Sequence, residues 1–217
     1  MSEIDLLAKY PKAKRNLEKR QVVREEDRKL ARQFGKEYFD GTRDQGYGGY
    51  NYHPRFWTDV VQDMIKHWGL TGGSSILDVG CGKGFMLHDF KKADPELKVA
   101  GIDISPYAIE NAMEDVKPHL QVGNAKELPF EDRSFDVVIA INTIHNLERD
   151  ECFQAVKEIE RVGRKGKFIT VDAYHNEEEK ERMYMWNLTA RTIMSVDEWV
   201  EFFKKAGYTG DYYWFIP

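Results

Sequence analysis

The chain has 217 residues and a formal net charge of −5 at pH 7, with 41% hydrophobic, 13% aromatic and 32% charged residues. The aromatic content excludes a disordered chain, and the lack of any apolar run of ~18 residues excludes a membrane-spanning helix. Two cysteines exclude a disulfide framework and a multi-cysteine zinc site. The N-terminal sequence has no apolar core of the signal-peptide type, so we expect a cytoplasmic protein.

The N-terminus is the basic part of the chain. Residues 1–33 hold ten Lys and Arg against six Asp and Glu, a balance of +4, and the remaining residues carry −9. Acids such as Glu18 and Glu25 are interleaved with the bases, which is typical of a solvated helix. Because the rest of the chain is acidic, we do not expect a nucleic-acid partner.

The first predicted elements are two helices separated by a loop. A partial apolar stripe predicts one helix over residues 13–36; its members are Leu17, Val22, Val23, Leu30, Ala31 and Phe34. Residues 38–57, which we name the Tyr/Gly loop, contain four glycines and four tyrosines without a steady period. The second helix is predicted from near Phe56 to the stop at Gly69.

From Ser74 onward, short apolar strands alternate with helices. The predicted strands are SSILDVG, KVAGIDI, LQVGNA, DVVIAIN, GKFITVDAY and YTGDYYWFI. The predicted helices are GFMLHDFKKA, SPYAIENAMEDV, DECFQAVKEIERVG and SVDEWVEFFKKAG, with Ser105 and Ser195 as caps of the second and fourth. Strands separated by helices pair in parallel through right-handed crossovers. The predicted fold is therefore α/β, a doubly wound and mostly parallel Rossmann-like sheet of six or seven strands with an N-terminal helical cap.

The strongest local signal is a glycine-rich turn after the first strand, with Gly80, Gly82 and Gly84 in the sequence DVGCGKG. In such sheets, ligands bind beyond the carboxyl ends of the strands, and glycines let the backbone approach a ligand closely. Asp103 ends the second strand, where a carboxylate can accept hydrogen bonds from both hydroxyls of a ribose. The Gly-x-Gly-x-Gly spacing differs from the spacing that accommodates a pyrophosphate, which favours a nucleoside over a dinucleotide.

These motifs, with GIDIS and VGNAKELPFEDRSFDVVIAINTIHNL after them, resemble the class I S-adenosylmethionine-dependent methyltransferases over residues 74–173. The resemblance implies that S-adenosyl-L-methionine is bound, that S-adenosyl-L-homocysteine is the product, and that residues 1–73 form a cap on a methyltransferase domain at residues 74–217. The residues that it assigns to the cofactor are Tyr38, Arg43, Asp78, Gly80, Cys81, Gly82, Gly84, Asp103, Ile104, Asn124, Ala125 and Asn142. Tyr38 and Arg43 would lie at the methionine carboxylate, and Asn142 at the sulfonium.

The sequence departs from the family pattern at two points. Asn124 stands where many relatives have Asp, although an amide can still contact the edge of the adenine. The family often has a further antiparallel strand after the last helix, and this chain ends after one strand. We therefore expect an edge of the sheet that is incomplete or covered.

The methyl acceptor is predicted to be a small polar metabolite that is methylated on O or N. The motif Asn-Pro-Pro-aromatic of amine- and amide-directed relatives is replaced by NTIH at residues 142–145, and no RNA-binding module is visible. If the acceptor needs a base, the candidates are His145, His53 and His175, with His145 first because it follows the fourth strand directly. The six histidines are scattered, so we predict no metal site.

Other functions stay open on these grounds. One is methylation of RNA or protein. Another is a non-catalytic module that binds S-adenosylmethionine and contacts a partner through the basic N-terminal helix. A third is an NAD-type oxidoreductase, which the glycine spacing disfavours. A homodimer is allowed, and we do not expect a membrane partner.

Overall fold

The structure, a computed structural model, describes residues 1–12 and 25–217. The strands are β1 (Ser75–Val79), β2 (Lys98–Asp103), β3 (Leu120–Val122), β4 (Phe135–Ile141), β5 (Gly163–Tyr174), β6 (Met194–Ser195) and β7 (Asp211–Phe215). The α-helices in these ranges are α1 (Glu25–Ala31), α2 (Lys36–Asp40), α3 (Pro54–Trp68), α4 (Phe85–Ala93), α5 (Pro106–Glu110), α6 (Arg149–Val162), α7 (Glu177–Trp186) and α8 (Val196–Ala206). None of them is long and apolar enough to cross a membrane.

All seven strands belong to one sheet in which each strand pairing is parallel. The order is β3-β2-β1-β4-β5, and both β6 and β7 pair with β5. The central strands are nearly continuous apolar runs because helices cover both faces of a parallel sheet. On one face Ile159 of α6 and Trp199 of α8 are fully buried, and on the other face Met64 of α3 and Phe90 of α4 are fully buried. The predicted doubly wound sheet is confirmed.

The outer edge of β7 is covered by the beginning of the chain. The Ile4 N–H donates to the Tyr212 carbonyl and the Tyr212 N–H donates to the Ser2 carbonyl, each at 3.0 Å, as in a parallel pair. This edge of the sheet is therefore covered, as one of the two expected outcomes, by a short parallel partner from the N-terminus.

Two predicted helices are shorter than expected. Residues 13–24 of the predicted helix over 13–36 lie outside the described residues, and the rest is broken, since α1 ends at Ala31 and Phe34 has a left-handed φ of 51° before α2 begins. The helix predicted from Ser105 ends at Glu110, because the Met113 N–H donates to the Lys83 carbonyl instead of continuing the helix.

The predicted helix caps are confirmed. The Ser105 hydroxyl accepts from the Ala108 N–H at 3.1 Å, and Ser195 forms a reciprocal capping box with Glu198. Gly69 ends α3 in the left-handed conformation, with φ of 58°, as the predicted stop requires.

Candidate functional site

The site is built on the turn between β1 and α4. The N–H groups of Gly80 and Cys81 both donate to the Ile102 carbonyl, at 2.7 and 3.1 Å, which ties the turn to the end of β2. Gly80 and Gly82 have φ values of 84° and 53°. Residues that carry a side chain rarely adopt this backbone conformation, so the turn needs glycines at both positions.

Asp103 links this turn to the end of β2. One carboxylate oxygen accepts from the Gly82 N–H at 2.8 Å and the other accepts from the Ser105 N–H at 2.9 Å. The residue is 8% exposed, and burial raises the pKa of its carboxyl although the two N–H donors oppose this shift. Each oxygen keeps a lone pair that can accept from a ligand hydroxyl.

A cavity of about 140 Å³ lies over the turn and over the carboxyl ends of β1, β2 and β4. It brings together eight of the predicted cofactor residues. They are Tyr38, Gly80, Gly82, Asp103, Ile104, Asn124, Ala125 and Asn142. Ile104 is 50% exposed, so this wall offers an apolar surface that a planar ring could cover.

The other predicted cofactor residues do not line the cavity. Arg43 donates to the Tyr47 carbonyl within the Tyr/Gly loop. Cys81 packs in the apolar core and burial raises the pKa of its thiol, so it is not a thiolate. Gly84 is the N-cap of α4, and Asp78 is 4% exposed, with burial and the charge of Asp103 raising its pKa to about 8.

The Tyr/Gly loop folds over the glycine turn through a cluster of aromatic rings. The ring centroids of Tyr47 and Tyr50 are 4.3 Å apart, and those of Tyr50 and Phe85 are 4.7 Å apart. A Cβ atom on Gly82 would lie 3.2 Å from the Tyr50 ring. Phe34 and Phe39 complete the aromatic wall of the cavity, so the space that faces the turn is enclosed largely by rings.

A partly buried ion pair fixes this loop in place. The Lys83 ammonium lies 2.7 Å from the Asp40 carboxylate and donates to the Tyr50 carbonyl at 3.0 Å. Asp40 also accepts from the Tyr107 hydroxyl at 2.7 Å and from the Tyr50 N–H at 3.0 Å. Burial opposes ionisation of Asp40, but these donors outweigh it and lower the pKa of the carboxyl. We call this group the Lys83–Asp40 latch.

Sequence reasoning did not find the latch. Its partners come from α2, the glycine turn and α5, and none of them forms a motif with the others. The one available signal was Lys83 itself, since it is the only long side chain between Gly80 and Gly84.

Asn142 and Asn146 lie where β4 ends. Asn142 has a left-handed φ of 50°, and its side-chain oxygen accepts from the Thr170 hydroxyl at 3.0 Å. Asn146 lines the cavity, and its side-chain oxygen is buried without a hydrogen-bond partner among residues 1–12 and 25–217. A buried acceptor without a donor is energetically unfavourable, and a bound ligand can supply the donor.

The predicted base His145 is buried beneath this turn and does not line the cavity. Its Nδ1 accepts from the Asp172 N–H at 2.9 Å, so Nδ1 carries no proton. Burial lowers its pKa, although the charge of Asp172 opposes this shift. A neutral imidazole whose basic nitrogen is already engaged has no free lone pair for an acceptor proton.

The two other predicted histidines also lie outside the cavity. His53 is the N-cap of α3, where its Nδ1 accepts from the Arg55 N–H at 3.2 Å. His175 lies 2.9 Å from Glu179 on the surface. Within the part of the chain that the structure describes, no group of three or more His, Cys, Asp or Glu side chains is arranged to hold a metal ion.

Most of the chain is similar to known methyltransferases. A family model for a methyltransferase domain matches residues 70–207. The 27-O-demethylrifamycin SV methyltransferase of Amycolatopsis mediterranei is 28% identical over 69% of this chain and 58% of that protein. The 2-methyl-6-phytyl-1,4-hydroquinone methyltransferase of a Synechocystis species is 32% identical over 65% of this chain and 46% of that protein. The chain thus spans about half the length of these curated relatives.

The YcgJ protein of Bacillus subtilis, a crystal structure, has a similar fold. It superimposes with a TM-score of 0.53 and 22% identity, covering 67% of this chain and 66% of that one. At this identity the likeness shows the fold alone.

Proposed function

Because the family model covers most of the chain, this protein belongs to the class I S-adenosylmethionine-dependent methyltransferases, and we propose that it binds S-adenosyl-L-methionine in the cavity over the glycine turn and methylates a small molecule on O or N. The observation that carries the proposal is Asp103, whose carboxylate is tied to the Gly82 N–H inside the cavity.

The residues of the cavity fit this cofactor. The free lone pairs of Asp103 suit the two ribose hydroxyls, and the half-exposed Ile104 suits one face of the adenine. Asn124 and Ala125 would border the adenine edge, and the glycine turn would receive the methionine part. Bound there, the cofactor would supply a methyl group that is already activated on a sulfonium.

The acceptor would occupy the part of the cavity that is lined by rings and by Asn146. The sequence predicts a polar metabolite, but a wall that contains Phe34, Tyr38 and Phe39 favours an acceptor with apolar ring surface and one hydroxyl or amine. The two relatives described above, which are named for a rifamycin and for a phytylhydroquinone, support this choice.

The chemical contribution of the chain would be alignment. In a displacement with an activated donor, positioning supplies most of the rate enhancement. The unpartnered Asn146 oxygen can accept a hydrogen bond from the acceptor O–H or N–H, which fixes its orientation. An amide is too weak a base to take that proton, so Asn146 would orient the acceptor without deprotonating it.

The Tyr/Gly loop would act as a lid within an N-terminal cap at residues 1–73, next to a cofactor domain at residues 74–217. The cavity of about 140 Å³ is smaller than the ~300–1,000 Å³ of typical ligand sites, so the loop would have to move outward to admit the cofactor. Arg43, now bound to the Tyr47 carbonyl, would reach the methionine carboxylate only after such a movement.

Calorimetry with S-adenosyl-L-methionine tests the proposal. We expect saturable binding to the wild type and a loss of at least tenfold in affinity for Asp103→Ala, because two ribose hydrogen bonds to a charged group are removed. Asp197→Ala, a change to an exposed acid on α8, is the matched control and should bind normally. The absence of binding to a folded wild type would contradict the proposal.

Binding without turnover would point to the non-catalytic alternative. The assay follows release of S-adenosyl-L-homocysteine with a panel of phenols, hydroquinones and aromatic amines. Formation of the product with any of them supports the enzyme, and tight binding without product over the panel supports a binding module.

A further inference from the structure

We propose that a second cavity, between α1, α7 and the segment that precedes β6, binds an oxyanion, either a phosphate or a carboxylate. Its volume is about 340 Å³, and Arg28, Arg32 and Arg191 are among its lining residues. We call it the arginine cavity. The proposal does not depend on the methyltransferase activity.

The charges in this cavity favour an anion. Three guanidinium groups line it against one carboxylate, that of Glu25. Glu25 lies 3.4 Å from Arg32, and Glu148, which does not line the cavity, lies 2.6 Å from Arg191. Among these described residues one positive charge is in excess even with both acids counted, in a chain whose net charge is −5. A concave site that keeps positive charge on an acidic protein attracts anions.

The donors in the cavity are not all used. Arg28 donates to the Asn187 carbonyl, which occupies one of its nitrogens. The Arg32 Nε is buried and has no hydrogen-bond partner in the described part of the chain. A buried N–H without an acceptor is costly, and an oxyanion would satisfy it. The planar fork of a guanidinium matches a phosphate or carboxylate in a bidentate geometry.

The arginine cavity lies beside the cavity over the glycine turn, which we call the reaction cavity. The Thr189 side chain lies near the Tyr38 hydroxyl, which belongs to the reaction cavity. The backbone N–H of Arg191 donates to the His145 carbonyl at 2.9 Å, and Asn146, which follows His145, lines the reaction cavity. One segment thus borders both cavities, so the oxyanion could be part of the methyl acceptor or a separate free ion.

Titration calorimetry with inorganic phosphate, without S-adenosylmethionine and at constant ionic strength with sodium chloride, tests the site. We expect saturable binding to the wild type and at least tenfold weaker binding to Arg28→Gln and Arg32→Gln, because each loses charge-assisted hydrogen bonds. Arg32→Lys keeps the charge without the fork and should bind less tightly than the wild type but more tightly than Arg32→Gln.

Lys29→Gln is the matched control, since Lys29 is an exposed cation on the same helix that does not line the cavity. It should bind phosphate as the wild type does, and thermal unfolding should show that all four variants are folded. Absence of saturable binding to the wild type, or equal losses for Lys29→Gln and the two arginine-to-glutamine variants, would overturn the proposal. Because no cofactor is present, this result is independent of the cofactor experiment above.

A second titration distinguishes the two sources of the oxyanion. Phenyl phosphate carries the same charged group with a ring attached. If the anion belongs to the acceptor, phenyl phosphate should bind at least tenfold more tightly than inorganic phosphate, and Phe34→Ala should remove this gain. If the site takes a free ion, the two should bind equally, and in both cases Arg32→Gln should weaken them.

Discussion

Asp78 provides a quantitative test of the electrostatics beneath the glycine turn. Burial, with the charge of Asp103 added, raises the pKa of its carboxyl to about 8, whereas an aspartate in an unfolded chain has a pKa of about 3.9. Between these two values the folded protein keeps a proton that the unfolded chain has released. The contribution of this group to stability is therefore fully present below pH ~4 and is lost as the pH rises to about 8.

The expected magnitude follows from the width of this interval. Each pH unit removes about 1.4 kcal/mol from the free energy of unfolding, so roughly 5 kcal/mol is lost over four units. Asp78→Asn has nearly the same shape and does not ionise. We expect it to match the wild type at pH 4 and below, to be more stable by about 1.5 kcal/mol at pH 5, and to reach a constant margin of roughly 5 kcal/mol above about pH 8.

Urea unfolding at pH 5, 6, 7, 8 and 9, followed by circular dichroism, measures this margin. Asp44→Asn, a change to an exposed aspartate in the Tyr/Gly loop, is the control for the removal of one carboxylate at the surface. A constant difference between Asp78→Asn and the wild type over the whole range would refute the reasoning, because it would mean that Asp78 is ionised in the folded protein throughout.

Three further predictions concern the loop and the end of β4. Asp40→Asn leaves the buried Lys83 ammonium without its counter-charge and should lower the free energy of unfolding by about 1–3 kcal/mol at pH 7, measured with urea. Because the pKa of Asp40 is lowered in the folded protein, this difference from the wild type should shrink as the pH falls below about 4. His145→Gln keeps an acceptor for the Asp172 N–H, so kcat/KM should keep the same pH profile. If the variant lost the fall of kcat/KM at low pH, where a general base is protonated, His145 would be restored as the base. Asn146→Ala should raise the KM of the acceptor about five- to tenfold without changing the affinity for S-adenosylmethionine, and an equal loss of both would show a general disturbance of the cavity.

The features that the sequence predicted well are those that depend on neighbouring residues. Apolar runs, caps such as Ser105 and the stop at Gly69 are local, so the central strands and their helices could be placed from the pattern alone. The position of the glycine turn beside Asp103 belongs to the same class, because parallel topology brings the ends of adjacent strands to one edge.

The features that were missed join distant parts of the chain. Lys83 and Asp40 are 43 residues apart, and no periodicity connects them. The break at Phe34 could not be foreseen, since the apolar stripe continues through it. The environment of His145 also depends on a distant residue, because its Nδ1 accepts from the N–H of Asp172 on the neighbouring strand.

The pairing of Ser2–Ile4 with β7 has a practical consequence for handling the protein. The outer strand of an open sheet presents unpaired N–H and C=O groups that can recruit another chain, and the N-terminal segment occupies those groups at Tyr212. A variant that lacks residues 1–4 would expose this edge and should aggregate at a lower protein concentration in light scattering.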